Sequence, residues 1–158
     1  MTDRDTPQGS VLLWAPVALA ALGILVSGYL TLKRLTGGSL ACTRWAQCDL
    51  VNSSSYATIG GVPVALIGLA GYLLLFGLGA VAVQAQGIRR RRALQAGFLL
   101  SVGGLLFSIY LTYLELYVIQ AVCSWCVASA VIILLLALVG GLNLRRATGP
   151  DAAQGPGR

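Results

Sequence analysis

The stretch AVCSWCVASAVIILLLALVGGLNL, residues 121–144, decides what kind of protein this is. It has no charged side chain in 24 residues, and about 20 apolar residues are enough to cross a bilayer as one helix. Near its start stand Cys123-Ser124-Trp125-Cys126. A thiol pair at the N-terminal end of a helix has a physical advantage, because the positive end of the helix dipole and the unpaired amide N–H groups stabilise a thiolate. If the helix begins near Cys123, the spacing of three puts both sulfurs on one face, with Cys126 roughly 5 Å deeper along the axis. One sulfur then faces the aqueous rim and the other the membrane. The motif alone does not separate this reading from two small apolar residues packed inside a bundle.

Composition places the whole chain in the same setting. Of its 158 residues, 57% are hydrophobic and 10% charged, and the mean hydropathy is +0.82, which excludes an ordinary soluble domain. The net charge of +6 does not indicate nucleic-acid binding, because the basic residues sit in short flanks of apolar runs with no aromatic platform beside them. The first apolar run is long and three more follow it, so it is read as a spanning helix of the mature chain rather than a cleaved signal.

The expected fold is an all-α integral membrane protein, a four-transmembrane-helix bundle with spans at about 11–32, 62–86, 93–114 and 121–144. These form one membrane domain over 11–144, preceded by a cytoplasmic N-terminus, 1–10, and followed by a disordered cytoplasmic tail, 145–158. Pro16 is a candidate kink in the first span, and Pro63 suits the first turn of the second. The tetrad Arg89 to Arg92 is expected to stop the second span and anchor topology. Glu115 is placed at a rim, in a brief turn ending at Gln120. Ser101, Gly103, Gly104 and Ser108, with Gly68 and Gly71, are expected to serve close helix contact.

Orientation follows from lysine and arginine. The N-terminus, the second connection and the tail carry eight of them, and the first and third connections carry Lys33, Arg34 and Arg44. The basic side is cytoplasmic. The long loop 33–61, with Cys42 and Cys48, is then extracytoplasmic, on the same face as Cys123. Charge counting thus brings all four cysteines to one membrane face in an oxidising compartment, independently of any cysteine argument. Two pairs permit three connectivities, of which two describe states of a thiol–disulfide relay.

The separated pair Cys42 and Cys48, the run Cys48-Asp49-Leu50-Val51-Asn52-Ser53-Ser54-Ser55-Tyr56, Gly61-x-Pro63, and a Cys-x-x-Cys opening the last span resemble, in this order, the bacterial vitamin K epoxide reductase family. The resemblance covers about Val11 to Leu144. It implies a quinone-coupled thiol oxidase that generates disulfides for extracytoplasmic folding at the bacterial inner membrane. Cys42 would meet a thioredoxin-like partner, Cys48 exchange with Cys123, Cys126 face the quinone, and Ser54 match the family's loop serine. No thioredoxin-like domain follows the fourth span, so the partner is expected to be a separate protein. Ser124 stands where many members have proline. Ala130 stands where animal enzymes have tyrosine, so ubiquinone or menaquinone is the expected acceptor.

A greasy pocket with a few polar contacts suffices for such an acceptor, and Ser54, Tyr56, Thr58 and Trp125 are the candidates for it. Tyr56 and Trp45 are also natural residues of a membrane boundary. Two other classes compete. A small transporter would keep an ionisable residue inside a span, and the apolar runs contain none. A Cys-ligated metal site is conceivable from the Cys-x-x-Cys, but Cys42 and Cys48 are spaced more widely than zinc pairs and the compartment oxidises thiols. The disulfide bond formation protein B family performs related chemistry with the two kinds of pair in the reverse order.

Overall fold

The computed structural model describes residues 7–44 and 46–148. Trp45, Arg4 and the tail from 149, on which some sequence expectations fall, lie outside the described residues. Helix α1 spans Pro7–Thr36, α2 Cys48–Ser53, α3 Val64–Gln84, α4 Gly87–Tyr113 and α5 Ser124–Thr148. Between α2 and α3 lie a single 3₁₀ turn, Ser55–Ala57, and a two-residue antiparallel ladder of β1, Thr58–Ile59, with β2, Val62–Pro63. Gly60 and Gly61 connect its strands with φ of 57° and 85°, a left-handed geometry that glycine adopts without a Cβ penalty.

Helices α1, α3, α4 and α5 are each long and apolar enough to cross a membrane. Each packs on two others, in the ring α1–α3–α4–α5 and back to α1. Leu25, Leu74, Leu99, Leu106 and Leu138 point outward and are exposed, as expected where the surrounding medium is as apolar as leucine. The interior holds Ala20, Tyr72, Leu75, Ile133 and Leu136. Polar side chains within the spans turn back on their own helix: Ser27 Oγ donates to the Gly23 carbonyl at 2.7 Å, Thr31 Oγ1 to Ser27 at 2.7 Å and Ser101 Oγ to Gly97 at 2.8 Å. At the opposite end from the loop, Asn143 Nδ2 donates to the Leu12 carbonyl at 2.8 Å and ties α5 to α1.

Several details differ from the sequence expectation. Arg89 to Arg92 lie inside the first turns of α4, which begins at Gly87, because long basic side chains can extend out of the apolar layer while their backbone continues the helix. Arg145 and Arg146 likewise occupy the last turn of α5. The connection from Glu115 to Gln120 is not a simple turn: α4 widens into a π-helical segment, Leu114–Ile119, which closes with the Ala121 N–H donating to the Glu115 carbonyl at 3.0 Å and ends at Gln120 with φ 55°. Close helix approach falls on Gly23, Gly79 and Gly104, set against Tyr72, Val17 and Ile133, whereas Gly71 and Gly103 face open space.

A side chain at position 23 would enter the Tyr72 ring, which is itself buried. Gly23→Val should therefore lower the stability of the detergent-solubilised protein by about 1–3 kcal/mol, the usual cost of overpacking. Thermal unfolding followed by exposure of buried cysteine reads this directly, and Gly103→Ala is the control expected to change little.

Candidate functional site

The site is built where the long loop folds back over the start of α5. Two aromatic side chains hold its descending arm. The Ala41 N–H donates to Tyr29 Oη at 3.1 Å, Trp125 Nε1 donates to the Ala41 carbonyl at 2.7 Å, and the Tyr29 and Trp125 rings lie 4.9 Å apart at 49°. Asp49 accepts the Leu40 N–H at 2.7 Å, and Arg34 donates to the Asn52 carbonyl at 2.7 Å. One backbone contact joins the loop to the segment before α5, from the Gln47 N–H to the Val122 carbonyl at 3.0 Å. Short polar links of this kind suit a site at a membrane mouth, where a backbone group left unpaired is expensive.

This packing gathers all four cysteines. Cys42 and Cys48 are joined as a disulfide, and Cys123 and Cys126 are thiols. Cys48 and Cys123 are 1% and 0% exposed and share one apolar cluster with Leu30, Leu40, Val51 and Ala121, against which Cys42 and Cys126 also pack. Cys48 Sγ lies 3.6 Å from Ser124 Oγ, beside Cys123 in the chain. The loop pair and the helix pair, separated by more than seventy residues of sequence, are thus neighbours through their most buried members.

Cys123 stands immediately before α5 and caps it. Its sulfur accepts the Cys126 N–H at 3.4 Å, in the manner of an N-cap side chain, and its carbonyl accepts the Val127 N–H at 3.0 Å. The hydrogen bond from the Cys126 thiol holds the Cys123 thiol below the ordinary cysteine range, against burial and the Glu115 charge, which push it up; the backbone N–H groups of Cys126 and Trp125 add to the lowering. The helix-terminus argument made from spacing is therefore realised, with the helix starting at Ser124 and Cys123 as its cap.

Cys126, one turn along, lines a cavity of about 110 Å³ between the loop and the ends of α3, α4 and α5. Its walls are mostly apolar, including Leu30, Val51, Leu111 and Ile119, with Ser54, Asn52, Tyr56 and Ser129 among its polar members. Of the four residues expected to form a pocket, Ser54 and Tyr56 line it. Thr58 sits on the outer ladder, its hydroxyl donating to the Ser55 carbonyl at 3.1 Å, and Trp125 faces Tyr29 and Ala41 instead. Ser54 Oγ donates to the Val51 carbonyl at 2.8 Å and so fixes the turn that follows α2.

Glu115, which the sequence puts at a rim, is buried there, with 6% of its surface exposed. Its Oε2 accepts the Cys123 N–H at 3.2 Å, and its carboxyl borders the same cavity as Cys126. The available signal was the charge itself, eight residues before the first cysteine of a Cys-x-x-Cys and the one charged residue between Leu111 and Val122. Ser129 was also missed; it lies one turn beyond Cys126 and contacts Tyr72 Oη through its own hydroxyl, at 2.9 Å.

A helical membrane bundle that packs one disulfide and one thiol pair, Cys123 buried and Cys126 half-buried, around a shared cluster belongs to the class of membrane thiol oxidoreductases. Residues 14–140 match the vitamin K epoxide reductase family, and the chain belongs to that family. Its membership establishes the oxidoreductase class, and the four apolar helices agree with a membrane location.

The cause of the lowered Cys123 thiol can be tested. In protein with the Cys42–Cys48 bond intact, ultraviolet thiolate absorbance should rise with pH through a first midpoint below the ordinary cysteine value of about 8.5. Cys126→Ala removes the principal stabilising donor and should move the Cys123 midpoint upward. An unmoved midpoint would show that the thiol–thiol hydrogen bond does not set it.

Proposed function

We propose that the protein oxidises a thioredoxin-like extracytoplasmic partner and passes the electrons to a membrane quinone, ubiquinone or menaquinone. The observation that carries this reading is the division of labour among the sulfurs: Cys48 and Cys123 are buried together, while Cys126 borders a mostly apolar cavity between the loop and the helix ends. The partner's dithiol attacks the Cys42–Cys48 disulfide, forms a mixed disulfide at Cys42 and leaves as its own disulfide, so that both loop cysteines become thiols. The Cys48 thiolate then attacks Cys123 of an oxidised Cys123–Cys126 pair; the Cys48–Cys123 bond forms and Cys126 is released. Attack by Cys42 on Cys48 restores the loop disulfide and leaves Cys123 and Cys126 reduced. That end point is the pattern of one disulfide and two thiols seen in the structure.

Reoxidation of the helix pair requires an acceptor for two electrons and two protons, which a quinone supplies when bound. The residues present suit such a group. The cavity beside Cys126 offers apolar walls for a flat ring and a small number of hydroxyl and amide groups for its oxygens, the usual make-up of a small-molecule site. Ser54 and Tyr56 would approach from the loop and Ser129 from α5. Thr58 and Trp125 have other roles in this reading: Trp125 seats the loop that carries Cys42 through the Ala41 carbonyl. The chain's orientation follows from its basic residues, with the termini cytoplasmic and the cysteines extracytoplasmic at the bacterial inner membrane.

Purified protein in detergent, supplied with a reduced dithiol, should consume ubiquinone or menaquinone analogues, read from quinone absorbance. Cys123→Ala and Cys126→Ala should abolish turnover, with Cys126→Ala accumulating the Cys48–Cys123 mixed disulfide. Full activity in Cys126→Ala would remove that residue from the relay. Replacing Cys42 should cost more with a protein partner than with a small dithiol. For orientation, an impermeant thiol reagent should label reduced Cys42 from the extracytoplasmic side of intact cells; labelling from the cytoplasmic side alone would invert the topology.

A further inference from the structure

We infer that Glu115 is the proton carrier of Cys126: its carboxyl gives a proton to the Cys126 sulfur when the Cys123–Cys126 disulfide opens and takes it back when the disulfide closes. The inference rests on the relay proposed above. Its grounds are positional. Glu115 lies in the π-helical segment at the end of α4, and the widened turn sets a carboxyl that is 6% exposed against the start of α5. One oxygen is held by the Cys123 N–H at 3.2 Å, which fixes the side chain beside the Cys-x-x-Cys. Glu115 and Cys126 line one cavity. Among the described residues lining that cavity there is no lysine or arginine, so Glu115 has no salt bridge there to account for its burial. A carboxyl buried at the end of an apolar bundle without an ion-pair partner is costly, and groups of this kind mark proton paths.

The chemistry balances within the chain. In the opening step the Cys48 thiolate attacks Cys123, the Cys48–Cys123 bond forms, the Cys123–Cys126 bond breaks, and the electron pair of that bond goes to Cys126. The Glu115 carboxylic acid protonates it, so Cys126 ends as a thiol and Glu115 as a carboxylate, with one negative charge before and after. A Cys126 thiolate released beside the buried Cys123 would otherwise be left in an apolar cavity, the least favourable place for it. In the closing step the Cys123 and Cys126 sulfurs join, Glu115 receives the Cys126 proton, and the two electrons released would be taken up by a quinone-class acceptor when one is bound. Glu115 is then ready for the next opening. The titratable groups around it are Cys123, just before α5, whose N–H it accepts, and Cys126 of α5 and Tyr56 of the loop, which line the same cavity.

The test is run without quinone. Chemically oxidised protein in detergent is mixed with a small dithiol, quenched in acid, labelled with a thiol mass tag, and the appearance of the Cys126 thiol is timed by mass spectrometry. Glu115→Gln keeps an oxygen to accept the Cys123 N–H but cannot deliver a carboxyl proton, and should slow the appearance of the Cys126 thiol by about 10²-fold, the lower end of what general acid catalysis contributes. It should also flatten the pH dependence of that rate, while Glu115→Asp recovers part of it. The infrared difference spectrum between reduced and oxidised protein should contain a carboxylic-acid C=O band that Glu115→Gln lacks. Glu115→Gln reacting within twofold of the unaltered protein, with no such band in either, would overturn the inference and leave the relay standing. If the unaltered protein never exchanges electrons between its two pairs, the relay itself fails, and the infrared band on direct chemical reduction still decides whether Glu115 gains and loses the proton. Should Glu115→Gln not fold, Glu115→Asp and that band carry the decision in the same way.

Discussion

At the mouth of a membrane bundle every backbone N–H and carbonyl needs a partner, and this constraint shapes the site more than any single contact. Each hydrogen bond there is modest, about 0.6 kcal/mol on average for side chains within membrane bundles, so no one of them fixes the loop. An array does. Tyr29 and Trp125 take both backbone groups of Ala41, Asp49 takes the Leu40 N–H, Arg34 takes the Asn52 carbonyl, and Gln47 reaches the Val122 carbonyl. The sum holds α2 on the start of α5, and with it Cys48 in the cluster that contains Cys123.

The same constraint governs the beginning of α5. The first N–H groups of a helix lack partners within it, and a helix entering an apolar layer cannot leave them bare. Cys123 meets this need twice, with its carbonyl on Val127 and its sulfur on the Cys126 N–H. Its own N–H is taken by Glu115. A cap is ordinarily a serine or an aspartate; with a cysteine there, the group that completes the helix is also a thiol, and the N–H groups that want an acceptor add to the Cys126 thiol in favouring its thiolate.

Much of this was legible in the sequence, for reasons that can be named. Apolar runs of spanning length define helices α1, α3, α4 and α5 without reference to tertiary structure, and a Cys-x-x-Cys at the head of an apolar run locates the helix terminus to within one residue. Charge counting put the loop pair and the helix pair on one face, and the structure brings them into one cluster. What the sequence concealed depends on packing or on local helix irregularity. A π-helical segment has no composition of its own, so Glu115 to Gln120 read as a brief turn and the burial of the Glu115 side chain did not show. Trp125 bonds the Ala41 carbonyl and Thr58 the Ser55 carbonyl, contacts set by how the loop folds back rather than by any spacing in the sequence. Gly71 and Gly103 look like contact glycines in sequence, and only the ring order of the helices shows that they face outward space while Gly23, Gly79 and Gly104 meet neighbours.

The irregularity at the end of α4 is where fold and chemistry meet. An ordinary α-helical end would close with bonds three or four residues back; here Ala121 reaches six residues back to the Glu115 carbonyl, and Gln120 takes a left-handed turn to begin the approach to α5. That closure ties the main chain of Glu115 to Ala121, two residues before Cys123, while the Glu115 side chain holds the Cys123 N–H. One residue thus fixes the short connection by its carbonyl and the helix cap by its carboxyl. Because Cys126 follows Cys123 by one turn, the carboxyl that steadies the cap also faces the cavity beside the second sulfur. A glutamate is among the few side chains that can anchor a backbone N–H and also carry a proton, and this dual geometry distinguishes it from the amide that would serve the anchor alone.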